Sequence, residues 1–96
     1  MKEITAQELK NWIANKHDFQ LIDIRESYEI ELNSMGGEHI PMGDIMQNID
    51  KISRTKPVVI HCRSGARSAA IINVLNTHGF TNLLNLKGGI LAFIEE

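Results

Sequence analysis

The chain has a single cysteine, Cys62, and the residues that follow it are unusually suited to supporting a reactive thiol. A thiolate is a strong nucleophile, and nearby cations and unpaired amides lower the pKa of a thiol toward neutral pH. The candidates for binding a substrate beside this sulfur are the next five residues, Arg63, Ser64, Gly65, Ala66 and Arg67. The alternative is a buried structural cysteine, which is the commoner role of a lone cysteine.

The position of Cys62 between two predicted elements favours the functional interpretation. The apolar run after Pro57 predicts a buried strand, Val58–Ile60, and the apolar residues from Ala69 onward predict a helix that ends at Gly79. Cys62 then lies at the carboxyl end of a strand, the edge where open α/β sheets bind ligands. The free amides of the helix amino terminus attract anions. Gly65 allows the loop backbone to curl so that further amides point inward.

The rest of the chain alternates between helical and strand patterns. Thr5 and Glu8 have the spacing of a capping box, which predicts an amphipathic helix over residues 6–16. Short apolar runs predict strands at Leu21–Ile24 and Leu83–Leu86, and a last helical segment at Ile90–Ile94. Alternation of this kind indicates an α/β fold with a mostly parallel sheet.

Composition excludes several classes of function. Ninety-six residues suit one domain, residues 1–96. A net charge of −2 gives no field that would attract nucleic acid or an anionic membrane. One cysteine forms no internal disulfide and, with four scattered histidines, predicts no metal site. We therefore expect a cytoplasmic protein without metal or cofactor.

Several motifs resemble those of the rhodanese-like domain family. Cys62–Ser68, CRSGARS, looks like the family's active-site loop. Asp23-Ile24-Arg25 matches its Asp-x-Arg signature, and Glu26–Glu29 its short acidic helix. His39–Pro41 matches the His-Ile-Pro element, and Leu86–Ile90 the Gly-Gly turn. The resemblance covers nearly the whole chain and implies a five-stranded, mostly parallel sheet with helices on both faces.

The resemblance also implies sulfur transfer through a persulfide on Cys62. The predicted donor is a small anion, thiosulfate or a persulfide, with Arg63 and Arg67 helping to dock its charge. Arg67 closes the loop where several family members have threonine or serine, so the donor stays open. The predicted acceptor is cyanide, an external thiol or a sulfur-carrier protein, because the chain has no second cysteine.

Two other functions remain as alternatives. His61-Cys62 followed by Arg67-Ser68 resembles the cysteine phosphatase and arsenate reductase signature, His-Cys-x5-Arg-Ser/Thr. Here only four residues separate Cys62 from Arg67, and a loop one residue shorter suits a single sulfur atom better than a phosphoryl group. The other alternative is a non-catalytic interaction module of the same fold, but such modules commonly lose the cysteine.

Four polar residues outside the loop have structural roles as their simplest interpretation. Asp23 and Arg25 are predicted to form an ion pair that positions loops. His39 is predicted to be a hydrogen-bonded loop histidine. His61 is not expected to pair with Cys62, because neighbouring strand residues point to opposite faces.

Overall fold

The computed structural model describes residues 1–95 and contains a five-stranded sheet in which every pair of neighbouring strands is parallel. The strands are β1 (Glu3–Ile4), β2 (Gln20–Asp23), β3 (Glu38–His39), β4 (Val58–His61) and β5 (Leu83–Leu86). Their spatial order is β1-β5-β4-β2-β3. The α/β class and the five-stranded sheet are therefore confirmed.

Within the described residues, four α-helices connect and cover these strands. They are α1 (Ala6–Ala14), α2 (Ser27–Leu32), α3 (Ala66–Thr77) and α4 (Gly89–Glu95). Two 3-10 segments, at Met42–Asp44 and Met46–Lys51, connect β3 to β4. Strand β4 lies at the centre of the sheet and all four of its residues are buried, as its unbroken apolar run predicts.

The two faces of the sheet carry separate apolar clusters. The cluster on one face contains Ile60 and Cys62 together with Ile71, Ile72 and Leu75 of α3. The other cluster contains Val59, with Leu9 of α1 and Phe93 of α4 packed there. Alternate residues of β4 thus point to opposite faces, and helices cover both of them.

Both predicted ends of α1 can be compared with the structure. Its capping box is present: the Glu8 amide donates to the Thr5 hydroxyl, and the Thr5 amide donates to the Glu8 carboxylate. The predicted end at residue 16 is wrong, because the helix stops at Ala14. The reason is local: Lys16 has a φ of 53°, outside the helical region, so the chain turns there toward β2.

Helix α3 ends as its glycine predicts. Gly79 has a φ of 89°, and its amide donates to the Asn76 carbonyl. The Phe80 amide donates to the Leu75 carbonyl, and the two side chains share one buried cluster. These two bonds define a Schellman motif, which fixes the length of the helix whose amino terminus faces Cys62.

Candidate active site

Cys62 lies one residue beyond the end of β4, at the carboxyl edge of the sheet. The next residues form a tight loop that leads into α3 at Ala66. Gly65 precedes the helix with a φ of 108°, a conformation that residues with a side chain rarely adopt. Cys62 is only 1% exposed, so the loop closes around the sulfur.

Two backbone amides converge on the sulfur of Cys62. The Gly65 amide donates to Sγ at 3.1 Å and the Ser68 amide at 3.4 Å. The Ser68 amide belongs to the first turn of α3, where backbone donors have no partner within the helix and carry partial positive charge. The loop and the helix terminus together therefore form a site that stabilises negative charge on the sulfur.

The hydroxyl of Ser68 connects the sulfur to β5. Its oxygen lies 3.3 Å from Cys62 Sγ and within hydrogen-bonding distance of Asn85 Oδ1. Asn85 in turn donates from Nδ2 to the Gly65 carbonyl at 3.2 Å. The Gly65 carbonyl, 3.2 Å from the Ser68 oxygen, is a further acceptor, so the single hydroxyl proton is donated to Asn85, to Gly65 or to a thiolate at Cys62. The network therefore has a donor that can turn toward the sulfur when the thiol ionises.

These contacts shift the pKa of the Cys62 thiol. Burial raises the pKa of Cys62, but hydrogen bonds to the sulfur act against it and the net pKa lies below its usual value. The donors are the Ser68 hydroxyl and amide, followed by the amides of Gly65 and Ser64. The contacts around the sulfur therefore favour the ionised form of this thiol more than water does for an ordinary cysteine.

Helix α4 holds the outer side of the loop. The Ile90 amide donates to the Cys62 carbonyl at 3.0 Å, and the Leu91 amide donates to the Arg63 carbonyl at 3.2 Å. These carbonyls therefore point away from the sulfur. A Cβ atom on Gly89 would collide with the backbone of Arg63, so the close contact requires glycine at this position.

The structure brings all the predicted loop residues around Cys62 but gives them different surroundings. Arg63, Ser64 and Ala66 are exposed, and Gly65 is half-buried. Arg67 is half-buried and does not extend freely into solvent. Its guanidinium donates two hydrogen bonds to one carboxylate on α2.

That carboxylate belongs to Glu29. Arg67 Nη1 and Nη2 donate to its two oxygens at 2.8 Å and 2.9 Å. The Glu29 side chain is 10% exposed, against 38% for Arg67. The hydrogen bonds from Arg67 lower the pKa of Glu29 to about 2, and the same bonds raise the pKa of Arg67. Both groups are therefore charged at neutral pH.

A second polar cluster lies at the same edge, beyond β2. Arg25 and Asp23 form a buried ion pair, with Nη2 to Oδ2 at 2.8 Å and Nε to Oδ1 at 3.0 Å. Arg25 also donates to the side chain and carbonyl of Asn33, at 2.9 Å each. His39 Nε2 lies 2.7 Å from the Arg25 carbonyl. The predicted ion pair and the hydrogen bond of His39 are confirmed, but His39 lies in β3, paired with Asp23 of β2, and not in a loop.

His61 is buried beside this ion pair and not beside the thiol. Its Nε2 lies 3.6 Å from Asp23 Oδ2, and neither ring nitrogen has a hydrogen-bond partner. Burial lowers the pKa of His61, although the Asp23 charge acts in the opposite direction. His61 is therefore a neutral core residue at neutral pH, which agrees with its predicted separation from Cys62.

Sequence reasoning missed three residues that shape the site. Ser68 lies in both the CRSGARS loop and the phosphatase-like pattern, but its contact with the sulfur is not predicted, although its place in the first turn of a helix is a signal. Asn85 is the one polar residue in the apolar run of β5, and that interruption is also a signal. Glu29 has no comparable signal, because its partner lies 38 positions away in the chain.

Two surface cavities lie at the opposite edge of the sheet. Their volumes are about 300 Å³ and 480 Å³, and their linings include Pro57 and Asn82 at the amino ends of β4 and β5 and Lys2 before β1. Within residues 1–95, no cluster of His, Cys, Asp and Glu side chains is arranged to hold a metal ion. No helix of the described chain is long and apolar enough to cross a bilayer.

Comparisons with known proteins agree with this geometry. The rhodanese-like domain model matches residues 5–96. The putative sulfurtransferase YtwF of Bacillus subtilis is 35% identical over 97 residues, which cover 100% of this chain and 93% of that protein. A sulfurtransferase of Allochromatium vinosum is 36% identical over 97 residues, with coverage of 100% and 91%. The crystal structure of a rhodanese-like domain protein from Staphylococcus aureus superimposes with a TM-score of 0.89 at 31% identity, covering 97% and 91% of the two chains.

Proposed function

The chain belongs to the rhodanese-like domain family, and on that premise we propose that it is a sulfurtransferase whose nucleophile is Cys62. The observation that carries the proposal is the convergence of loop amides and the Ser68 hydroxyl on the Cys62 sulfur. Such donors stabilise a thiolate before the reaction and a second sulfur atom after it. Residues 1–96 act as one domain in this proposal.

The reaction has two displacement steps. In the first, the Cys62 thiolate attacks the outer sulfur of the donor and forms an S–S bond. The bond between that sulfur and the rest of the donor breaks, and its electron pair leaves as sulfite from thiosulfate or as a thiolate from a persulfide. In the second, cyanide or a thiol attacks the outer sulfur of the Cys62 persulfide, and the Cys62 thiolate is released.

The loop residues bind the donor and the transferred sulfur. We assign docking of the donor's negative charge to Arg63 and Arg67, and cradling of the sulfur to the backbone of Ser64, Gly65 and Ala66. The support is their position around the sulfur, together with the lowered pKa of the thiol. The acceptor comes from outside, as an external thiol or a sulfur-carrier protein, because no second cysteine is available to resolve the persulfide.

The proposed setting is the cytoplasm, with neither nucleic acid nor a membrane as partner. A reducing compartment keeps a lone thiol available for catalysis. A net charge of −2 gives no general attraction to polyanions.

Intact mass spectrometry after incubation with thiosulfate tests the proposed reaction. We expect the protein to gain one sulfur atom, located on Cys62 by peptide mapping and removed by cyanide with formation of thiocyanate. p-Nitrophenyl phosphate and arsenate serve as control substrates and should not turn over. Phosphatase activity without sulfur transfer would support the phosphatase alternative. A Cys62 that neither gains sulfur from any donor nor alkylates rapidly would support the interaction module.

A loop insertion tests why the shorter loop favours sulfur. One glycine inserted after Gly65 restores five residues between Cys62 and Arg67. We expect sulfur transfer to fall, because the amides of Gly65 and Ser68 no longer converge on one atom. Unchanged transfer by the insertion variant would show that loop length does not select the reaction.

A further inference from the structure

The two arginines of the active-site loop are not electrically equivalent. Arg67 donates two hydrogen bonds to the Glu29 carboxylate, at 2.8 Å and 2.9 Å, and this carboxylate is almost buried. Arg63 is exposed. One of the two positive charges is therefore compensated by the protein before any donor arrives.

From this arrangement we infer that Glu29 determines donor specificity by neutralising Arg67, so that the site takes donors with one negative charge in preference to dianions. The inference rests on the proposed sulfur-transfer function and narrows its donor class to persulfides and other monoanionic carriers of an outer sulfur. Thiosulfate, a dianion, becomes a poor donor. Glu29 acts through Arg67 and is a positioning residue.

The charges near the sulfur support this preference. With Cys62 as a thiolate, the charges of Cys62 and Glu29 are negative and those of Arg63 and Arg67 are positive, so their sum is zero. With Arg67 paired to Glu29, a second negative charge on a donor meets no second unpaired arginine in the loop. A unit charge at a few ångströms changes an interaction by about 1 kcal/mol even in water, which is roughly fivefold in binding.

The position of Glu29 is fixed independently of Arg67. Its Oε1 also accepts the Glu26 amide at 3.1 Å, which completes a capping box at the start of α2. Since the amino terminus of a helix favours a carboxylate, Glu29 has two reasons to stay charged in place. The Glu29 carboxylate therefore stays in place and keeps its hydrogen bonds to Arg67 when a donor binds.

Two outer-sulfur donors of different charge test the inference in the wild-type protein. Thiosulfate carries two negative charges and benzenethiosulfonate carries one, and cyanide serves as the acceptor for both. Each kcat/KM is divided by the second-order rate constant for the uncatalysed reaction of the same donor with the thiolate of 2-mercaptoethanol. This normalisation removes the difference in intrinsic reactivity between the two donors. We expect the normalised value to be higher for benzenethiosulfonate. A normalised value that is equal or higher for thiosulfate would overturn the inference.

The substitution Glu29→Gln keeps the shape and hydrogen-bond acceptor but removes the charge. We expect the ratio of kcat/KM for thiosulfate to that for benzenethiosulfonate to rise roughly three- to tenfold, mainly through KM for thiosulfate. Glu31→Gln is the matched control, because this exposed glutamate on the same helix changes the net charge equally. The control should leave the ratio unchanged.

The outcomes separate this inference from the proposed function. If neither donor loads sulfur onto wild-type Cys62, sulfur transfer itself is rejected. If both donors work but Glu29→Gln leaves their ratio unchanged or lowers both values equally, Glu29 has only a structural role and the inference is wrong. If the variant does not fold, the wild-type comparison of the two donors still decides the donor class.

Discussion

Two buried polar clusters lie at the carboxyl edge of the sheet, and they differ in whether their charged groups are already paired within the protein. Around Asp23 and Arg25, opposite charges pair directly and the remaining guanidinium donors bind Asn33. Around Cys62, the amides of Gly65 and Ser68 converge on one sulfur. The first arrangement satisfies its own charges. The second stabilises a charge that can be used in a reaction.

The largest expected difference between the two clusters is the effect of a substitution on sulfur-transfer activity. Cys62→Ser replaces one atom and should abolish sulfur transfer, because the alkoxide needed for attack is not accessible at neutral pH. The buried site should still fold, with an unfolding temperature close to that of the wild type. Thiosulfate:cyanide transfer and thermal unfolding followed by circular dichroism measure the two effects. Residual transfer by the serine variant would assign the nucleophile elsewhere.

The reverse pattern is expected for the ion pair. Arg25→Met leaves Asp23 as an uncompensated buried charge and should lower the free energy of unfolding by about 3–5 kcal/mol. Urea denaturation measures this loss. In the folded variant, the pKa of Cys62 should be unchanged.

A double substitution distinguishes charge pairing from packing at this site. Asp23→Asn together with Arg25→Met removes both charges and should recover part of the stability lost in Arg25→Met. If the double variant is less stable than Arg25→Met, the loss of stability comes from packing and hydrogen bonds and not from an unpaired charge. The two clusters would then not differ in charge pairing as proposed.

A smaller effect is expected from the hydroxyl beside the sulfur. Ser68→Ala removes a donor that lowers the pKa of Cys62, so that pKa should rise. Alkylation by iodoacetamide at pH 7 should slow by roughly tenfold or more, since a hydrogen bond to a charged group contributes about 1.5–3 kcal/mol. Ser27→Ala, in an exposed serine of α2, is the control and should leave the pH profile of alkylation unchanged. An unchanged profile for Ser68→Ala would mean that the backbone amides alone set the pKa.

The smallest effect is a pH dependence of stability from His61. Burial lowers the pKa of His61 in the folded protein, so below about pH 6.5 the unfolded chain binds a proton that the folded chain does not. The contribution of His61 to the free energy of unfolding is therefore fully present above that pH. As the pH decreases further, this contribution is lost by at most about 1.4 kcal/mol per pH unit. His61→Phe should reduce the loss between pH 7 and pH 5.5 in urea denaturation. An equal loss in both proteins would assign it to other groups.

The sequence predicted the parts of the molecule that depend on neighbouring residues. The capping box at Thr5, the strand before Cys62 and the glycine end of α3 are local patterns, and each was confirmed. The predicted end of α1 at residue 16 is wrong because Lys16 has a positive φ that lysine rarely adopts, and the predicted bounds of β2 and β4 differ from the structure by one residue.

The parts that depend on packing between distant segments could not be predicted in this way. The contact between Glu29 and Arg67 joins two helices, and only the folded chain shows which of the many glutamates meets this arginine. The strand order and the two-residue strands β1 and β3 are equally non-local, because they are too short to show a periodicity of their own. The resemblance to a family supplied the number of strands that the residues alone did not.

The contact between α4 and the active-site loop has a consequence for protein synthesis. Cys62 leaves the ribosome well before Gly89, Ile90 and Leu91, yet these later residues hold the carbonyls of Cys62 and Arg63 away from the sulfur. Strand β5, which carries Asn85, also emerges after the cysteine. A nascent chain that has reached only α3 therefore has the loop amides that donate to the sulfur but lacks the later contacts that orient the loop carbonyls.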